Sequence, residues 1–211
     1  MLLSPWEPLF RLLKGQEFVS VALLISLATA FLYLVYLAIA AVFANPNTYN
    51  LSAMVIGSIY TGIGFSLGVG SVVGGAISIF LTKKFEMAGR LILPVIVVYL
   101  LGLGSLILGL SLNLDVEEVY IPIVVIMLCS VLRGLILPGL FTYCIELNPK
   151  SAFATIETLT VIQYFFAGFF QMSGTIMGSL IDYPLSFAVI GLLMLVGSFP
   201  VTLFLFKRLW T

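Results

Sequence analysis

Residues 19–44 read VSVALLISLATAFLYLVYLAIAAVFA, an uninterrupted run of 26 residues without a charged side chain. A transmembrane helix needs about 20 mostly apolar residues to cross the hydrocarbon core of a bilayer. The run is also longer than the roughly 7 to 15 apolar residues of a signal-peptide core. We therefore predict a membrane-spanning helix that is retained in the protein.

Five further apolar runs follow, separated by charged residues, prolines and asparagine clusters. Their continuity favours helices, because the strands of a transmembrane barrel are shorter and alternate in polarity. The predicted fold is an all-α membrane protein, a six-helix transmembrane bundle at residues 19–208 after a cytoplasmic or interfacial lead-in at residues 1–18. The predicted spans are 19–44, 53–81, 91–112, 119–143, 151–177 and 184–206.

The composition of the 211-residue chain also favours a membrane protein. Hydrophobic residues make up 62% of it and charged residues 9%, whereas a soluble domain carries about 25% charged residues. The net charge is zero, so nothing indicates a nucleic-acid partner. Histidine, the commonest general base and metal ligand, is absent. We expect the lipid bilayer as a partner, and no enzymatic activity, metal or cofactor.

Basic residues predict the orientation, because Lys and Arg in short loops are retained on the cytoplasmic side of a membrane. Eight of the nine basic residues fall on one predicted face: Arg11, Lys14, Lys83, Lys84, Arg90, Lys150, Lys207 and Arg208. The opposite face has no base but several acids: Asp115, Glu117, Glu118 and Asp182. Both termini are therefore predicted to be cytoplasmic.

The second predicted span carries a stripe of small residues on one helix face, spaced alternately four and three apart. They are Gly57, Thr61, Gly64, Gly68, Ser71, Gly75 and Ser78. Small residues let helices approach closely in lipid, where no hydrophobic effect separates a helix from the acyl chains. We predict helix packing at Gly57, Gly64, Gly68 and Gly75, as either a static contact or one that rocks during transport.

Arg133 lies near the middle of the fourth predicted span. A charge at that depth costs at least ~2.5 kcal/mol on insertion scales, so a partner is expected. Glu157, about seven residues into the fifth span, is the acid that could meet it if the two helices are neighbours. Gln163 lies at a depth similar to that of Arg133.

The fifth predicted span has one polar face, formed by Glu157, Thr160, Tyr164, Gln171 and Thr175. A polar stripe facing lipid would be costly, so we expect this face to point inward, toward protein or water. It is either the wall of a cavity that handles substrate or protons, or a structural polar seam between helices. The candidate residues of a substrate or proton path are Arg133, Glu157, Gln163 and Tyr164, with Glu157 as the proton-handling group.

Several short motifs, taken in order, resemble the second six-helix half of a major facilitator superfamily transporter. They are PLFRLL at 8–13, GGAIS at 74–78, YCIE at 143–146 and SAFA at 151–154. The similarity is to fungal twelve-spanner drug:proton antiporters, in the branch of quinidine-type multidrug exporters and the dityrosine exporter. It covers nearly the whole chain but only half of such a transporter.

The chain departs from the family pattern where that pattern has a charged pair after the glycine-rich motif. Ile79 and Phe80 stand there instead, which puts in doubt the charge latch that such loops use in switching. Glu146 also stands where the family more often has Asp.

The resemblance implies transmembrane transport, namely half of a secondary active exporter of small organic compounds coupled to protons. Such a half would need a second six-helix half or self-association, since two halves rock about a shared midplane site. Its location would be the plasma membrane or another cellular membrane, such as the prospore membrane. The alternative is a truncated or split-gene membrane fragment without transport activity, acting only as an interaction partner.

Overall fold

The structure is a computed structural model that describes residues 12–113, 119–180 and 182–210. Within these ranges there is no strand, so the all-α prediction is confirmed for them. The helices are α1 Gln16–Ala38, α2 Ala53–Phe85, α3 Gly89–Asn113, α4 Tyr120–Leu147, α5 Ala152–Leu180, α6 Tyr183–Gly197 and α7 Phe199–Trp210. The predictions for residues 1–11, Asp115, Glu117 and Glu118 lie outside the described residues.

Five segments of the described chain are long and apolar enough to cross a membrane: Gln16–Phe43, Ala53–Leu112, Tyr120–Leu147, Pro149–Ile176 and Tyr183–Lys207. The second has 60 residues. It would be about 90 Å long as one straight helix, roughly three times the hydrocarbon core. It consists instead of α2 and α3, which pack against each other. The segments therefore provide helices suited to an integral membrane protein.

The chain reverses between α2 and α3 at Glu86, whose φ of 50° lies in the left-handed region. A short 3-10 turn, Glu86–Ala88, leads into α3. Gly89 then lies against the end of α2, where an added Cβ would be only 2.5 Å from the Leu81 carbonyl carbon. A residue without a side chain is needed there for the tight reversal.

Helix α1 occupies the centre of the bundle, and its middle section is almost entirely buried. It packs against α4, α5 and α6, while α2 packs against α4 and α3. Helix α3 packs against α4 and α6. Consequently α2 and α5 lie on different sides of the α1–α4 pair.

The outer surface of the bundle is apolar along α3. Exposed residues recur there at alternating steps of four and three: Ile96, Leu100, Leu103, Ile107 and Leu110. A soluble monomer rarely exposes such a continuous apolar stripe, whereas acyl chains are its natural surroundings.

Candidate functional site

Arg133 is buried at the middle of α4, with 4% of its surface exposed. Its Nη2 donates a hydrogen bond of 2.6 Å to Thr29 Oγ1 of α1. The Thr29 hydroxyl in turn donates to the Ile25 carbonyl at 2.8 Å. The Arg133 Nε is enclosed and has no hydrogen-bond partner among the described residues. These residues therefore satisfy the guanidinium only in part.

Several tyrosine side chains lie near this guanidinium. Tyr33, Tyr36 and Tyr164 all lie within electrostatic range of Arg133. The Tyr36 ring meets the rings of Tyr33 and Tyr60 edge-on, with centroids 5.9 and 5.5 Å apart. The Tyr60 hydroxyl donates to the Tyr36 carbonyl at 2.8 Å, which links α2 to α1. These four tyrosines form the tyrosine cluster.

The structure does not bring Glu157 to Arg133. Glu157 is exposed on α5 and makes no hydrogen bond or ion pair within the described ranges. Helix α5 packs mainly on α1 and only lightly on α4, so neighbours in sequence are not the closest neighbours in space. The expected Arg133–Glu157 pair is absent, and a hydroxyl of α1 takes its place. A proton-handling role for Glu157 remains a prediction.

Gln163 and Tyr164 occupy different faces of α5. Gln163 is 7% exposed and lies with Leu159 and Ala167 on the buried face. Tyr164 is 54% exposed. Arg133 and Tyr164 are thus the two candidates that the structure places near each other, whereas no contact of Gln163 with Arg133 is observed in the described chain.

Exposed residues also occur on α2 and on α5, and we call these two groups together the open polar face. On α2, Gly57 and Gly64 lie one helical turn before and after Tyr60, on the same side of the helix. On α5, the residues predicted to point inward are largely exposed at the surface of this bundle. The open polar face comprises Gly57, Thr61, Gly64, Gly68, Glu157, Tyr164, Gln171 and Thr175.

The predicted packing glycines mostly contact nothing within the bundle. A Cβ added at Gly57, Gly64 or Gly68 would meet no atom of the described residues within 4 Å, and one at Gly75 would lie 3.9 Å from Pro138 Cβ. Gly70 and Gly74 of α2 instead pack against α4, where Gly134 faces Gly70. Their four-residue spacing was a usable signal that the sequence analysis missed.

A cavity of about 860 Å³ lies at a different place in the bundle. Its polar lining comes from Asn45, Thr48 and Asp182, near the end of α1 and the start of α6. It includes none of the predicted site residues. Because Arg133 is midway along α4, we assign the candidate site to Arg133 and the tyrosine cluster.

One arginine connects three helices through an ion pair and a hydrogen bond. Arg90 of α3 donates to Glu146 Oε1 of α4 through Nε at 3.1 Å and Nη2 at 3.0 Å. Its Nη1 donates to Ser78 Oγ of α2 at 3.4 Å. Ile79 and Phe80 of α2 are exposed. The charged contact of these helices is therefore made by Arg90 and Glu146.

We expect Arg90 and Glu146 to be energetically coupled. Arg90→Gln and Glu146→Gln should each destabilise the bundle, and the double variant should cost less than their sum by about 0.5 to 1 kcal/mol, because the pair is only partly buried. Unfolding of the purified protein by denaturing detergent measures this. Lys83→Gln, an exposed base on α2, is the control. Additive effects of the two changes would contradict the coupling.

A scan against protein-family models finds none that matches this sequence, and a search of curated proteins finds no significant match. The class of protein is therefore defined by the fold and the site alone. The described chain is all-α, has helices long and apolar enough to cross a membrane, and contains a buried arginine with one unpaired nitrogen.

Proposed function

We propose that this chain is one six-span half of a secondary active exporter, similar to the second half of a major facilitator superfamily antiporter. It would move small organic compounds across a membrane, coupled to protons. The observation that carries the proposal is Arg133, which is buried at mid-length of α4 within electrostatic range of three tyrosines. Intramembrane ionisable residues of this kind mark substrate or ion pathways.

The proposal also accounts for the open polar face. Exposed Glu157, Gln171 and Thr175 would be costly against acyl chains, whereas the aliphatic stripe of α3 would not. A water-filled path between two bundles would solvate these side chains. The exposed glycines of α2 would let a second bundle approach closely. That bundle is a separate half or a second copy of this chain.

In this proposal the six helical spans are α1 to α5 and the α6–α7 pair. Both termini are cytoplasmic, because the basic residues of the loops gather on one side. The host membrane is the plasma membrane or another cellular membrane. Alternating access comes from rocking of the two bundles about the Arg133 site.

Export from sealed vesicles tests the proposed function. Two preparations are used: liposomes that contain the purified chain, and vesicles of the native membrane that retain any companion bundle. Both are loaded with a panel of small aromatic acids, amides and amines. An imposed proton gradient is expected to drive at least one compound out faster than from control vesicles, which are protein-free liposomes for the first preparation and native-membrane vesicles without this chain for the second. If neither preparation exports any compound, the proposal fails and the chain acts as a membrane fragment without transport activity.

A further inference from the structure

We infer that Arg133 binds the carboxylate of an aromatic substrate, whose ring lies against the tyrosine cluster. This inference rests on the proposed function and names the substrate class of the same site. It selects organic anions over the cations and neutral compounds that an exporter could otherwise carry.

The unbalanced positive charge of Arg133 is the first argument for an anionic ligand. The guanidinium of Arg133 stays protonated in proteins. No acid of the described chain forms an ion pair with it, and its largest electrostatic interactions are with Tyr164, Tyr36 and Tyr33. Removing one partner of a buried charge pair is strongly destabilising, which shows how poorly an uncompensated buried charge is tolerated. The site therefore has a deficit of one negative charge, which a bound anion would remove.

The free donors of the guanidinium fit a carboxylate. Of its five N–H groups, one donates to Thr29 and the Nε–H is enclosed. Three N–H groups on Nη1 and Nη2 remain. Thr29 uses its own hydrogen on Ile25, so it holds Nη2 in place and does not compete for the ligand. Two parallel N–H···O bonds from the Nη edge would bind both carboxylate oxygens.

The surroundings of the guanidinium fit an aromatic ring. Tyr33, Tyr36 and Tyr60 already form a chain of edge-to-face contacts at 5.5 to 5.9 Å. Another ring can extend such a chain, because aromatic pairs favour these geometries. Tyr164 is half exposed, lies within electrostatic range of Arg133 and offers a further aromatic surface. A ligand amine, in contrast, would be repelled by the uncompensated guanidinium.

Equilibrium binding of matched ligands to the whole chain in lipid nanodiscs tests the inference. The probes are 4-phenylbutyrate, 4-phenylbutyramide and 4-phenylbutylamine, which share the ring and the chain length. We expect 4-phenylbutyrate to bind about 10- to 100-fold more tightly than the amide, as expected for hydrogen bonds to a charged group. The amine should bind more weakly still.

Variants localise the binding. Arg133→Gln should abolish the preference for the acid, and Arg133→Lys should reduce it, because an ammonium lacks the paired donors. Thr29→Val should weaken acid binding, and Thr29→Ser should preserve it. Lys84→Gln, which removes an exposed base at the end of α2, should leave it unchanged. If Arg133→Gln does not fold, the Lys and Thr29 variants still decide the question.

Equal affinity for acid and amide would overturn the inference, as would an acid preference that persists in the Arg133 variants. No binding of 4-phenylbutyrate would also overturn it, and would leave a carboxylate of a second bundle as the counter-ion. Acid binding without export would contradict the proposed function alone. Export of amides or amines without acid preference would contradict the inference alone.

Discussion

Gly134→Leu is expected to prevent assembly of the bundle. A Cβ at Gly134 would lie 2.9 Å from Gly70 Cα and 2.9 Å from Ser71 N, both of them backbone atoms of α2. Backbone cannot rotate aside as a side chain does, so α2 and α4 would have to separate. We expect Gly134→Ala to cost about 1 to 3 kcal/mol, as overpacking does, and Gly134→Leu to cost more. Unfolding in denaturing detergent and helix content by circular dichroism measure both.

Gly64→Leu, on the facing helix α2, is the matched control. A Cβ at Gly64 would meet no atom within 4 Å in the part of the chain that the structure describes, so this variant should unfold like the wild type. If a second bundle packs on the open polar face, the same variant should lower export without changing stability. Wild-type stability of Gly134→Leu would show that α2 and α4 do not approach as closely as described.

Glu157→Gln is expected to reduce proton-driven export to the level of chain-free vesicles. Among the described residues, Glu157 is the only acid that falls within a predicted span. It lies on the open polar face, where water or a second bundle could exchange protons with it. Gln keeps the size and the hydrogen-bonding groups but cannot take up or release a proton at neutral pH. The measurement is export in native-membrane vesicles with and without a proton gradient.

Glu86→Gln serves as the control for Glu157→Gln. Glu86 is an exposed acid in the turn between α2 and α3, away from the open polar face. Its loss should leave export unchanged. Unaltered gradient dependence in the Glu157 variant would assign proton handling to another group, although the transport proposal itself would survive.

The helical fold class of this protein was predictable from local sequence, because a membrane-spanning helix is recognised by the length of one continuous apolar run. The runs that mark the predicted spans lie in helices, with the last run divided between α6 and α7. Arg133 was also identifiable, since a charge at mid-span is costly whatever surrounds it. Both are properties of single segments, so they can be predicted without knowing which helices pack against each other.

Which side chains meet was decided by tertiary structure alone. Arg133 bonds to Thr29, 104 residues away in sequence, because α1 occupies the centre of the bundle. The same packing leaves Glu157 on the surface, although α4 and α5 are consecutive. On α2, Gly70 meets another helix while Gly64 does not. Helical periodicity defines which residues share a face, but only the arrangement of helices determines which face is covered.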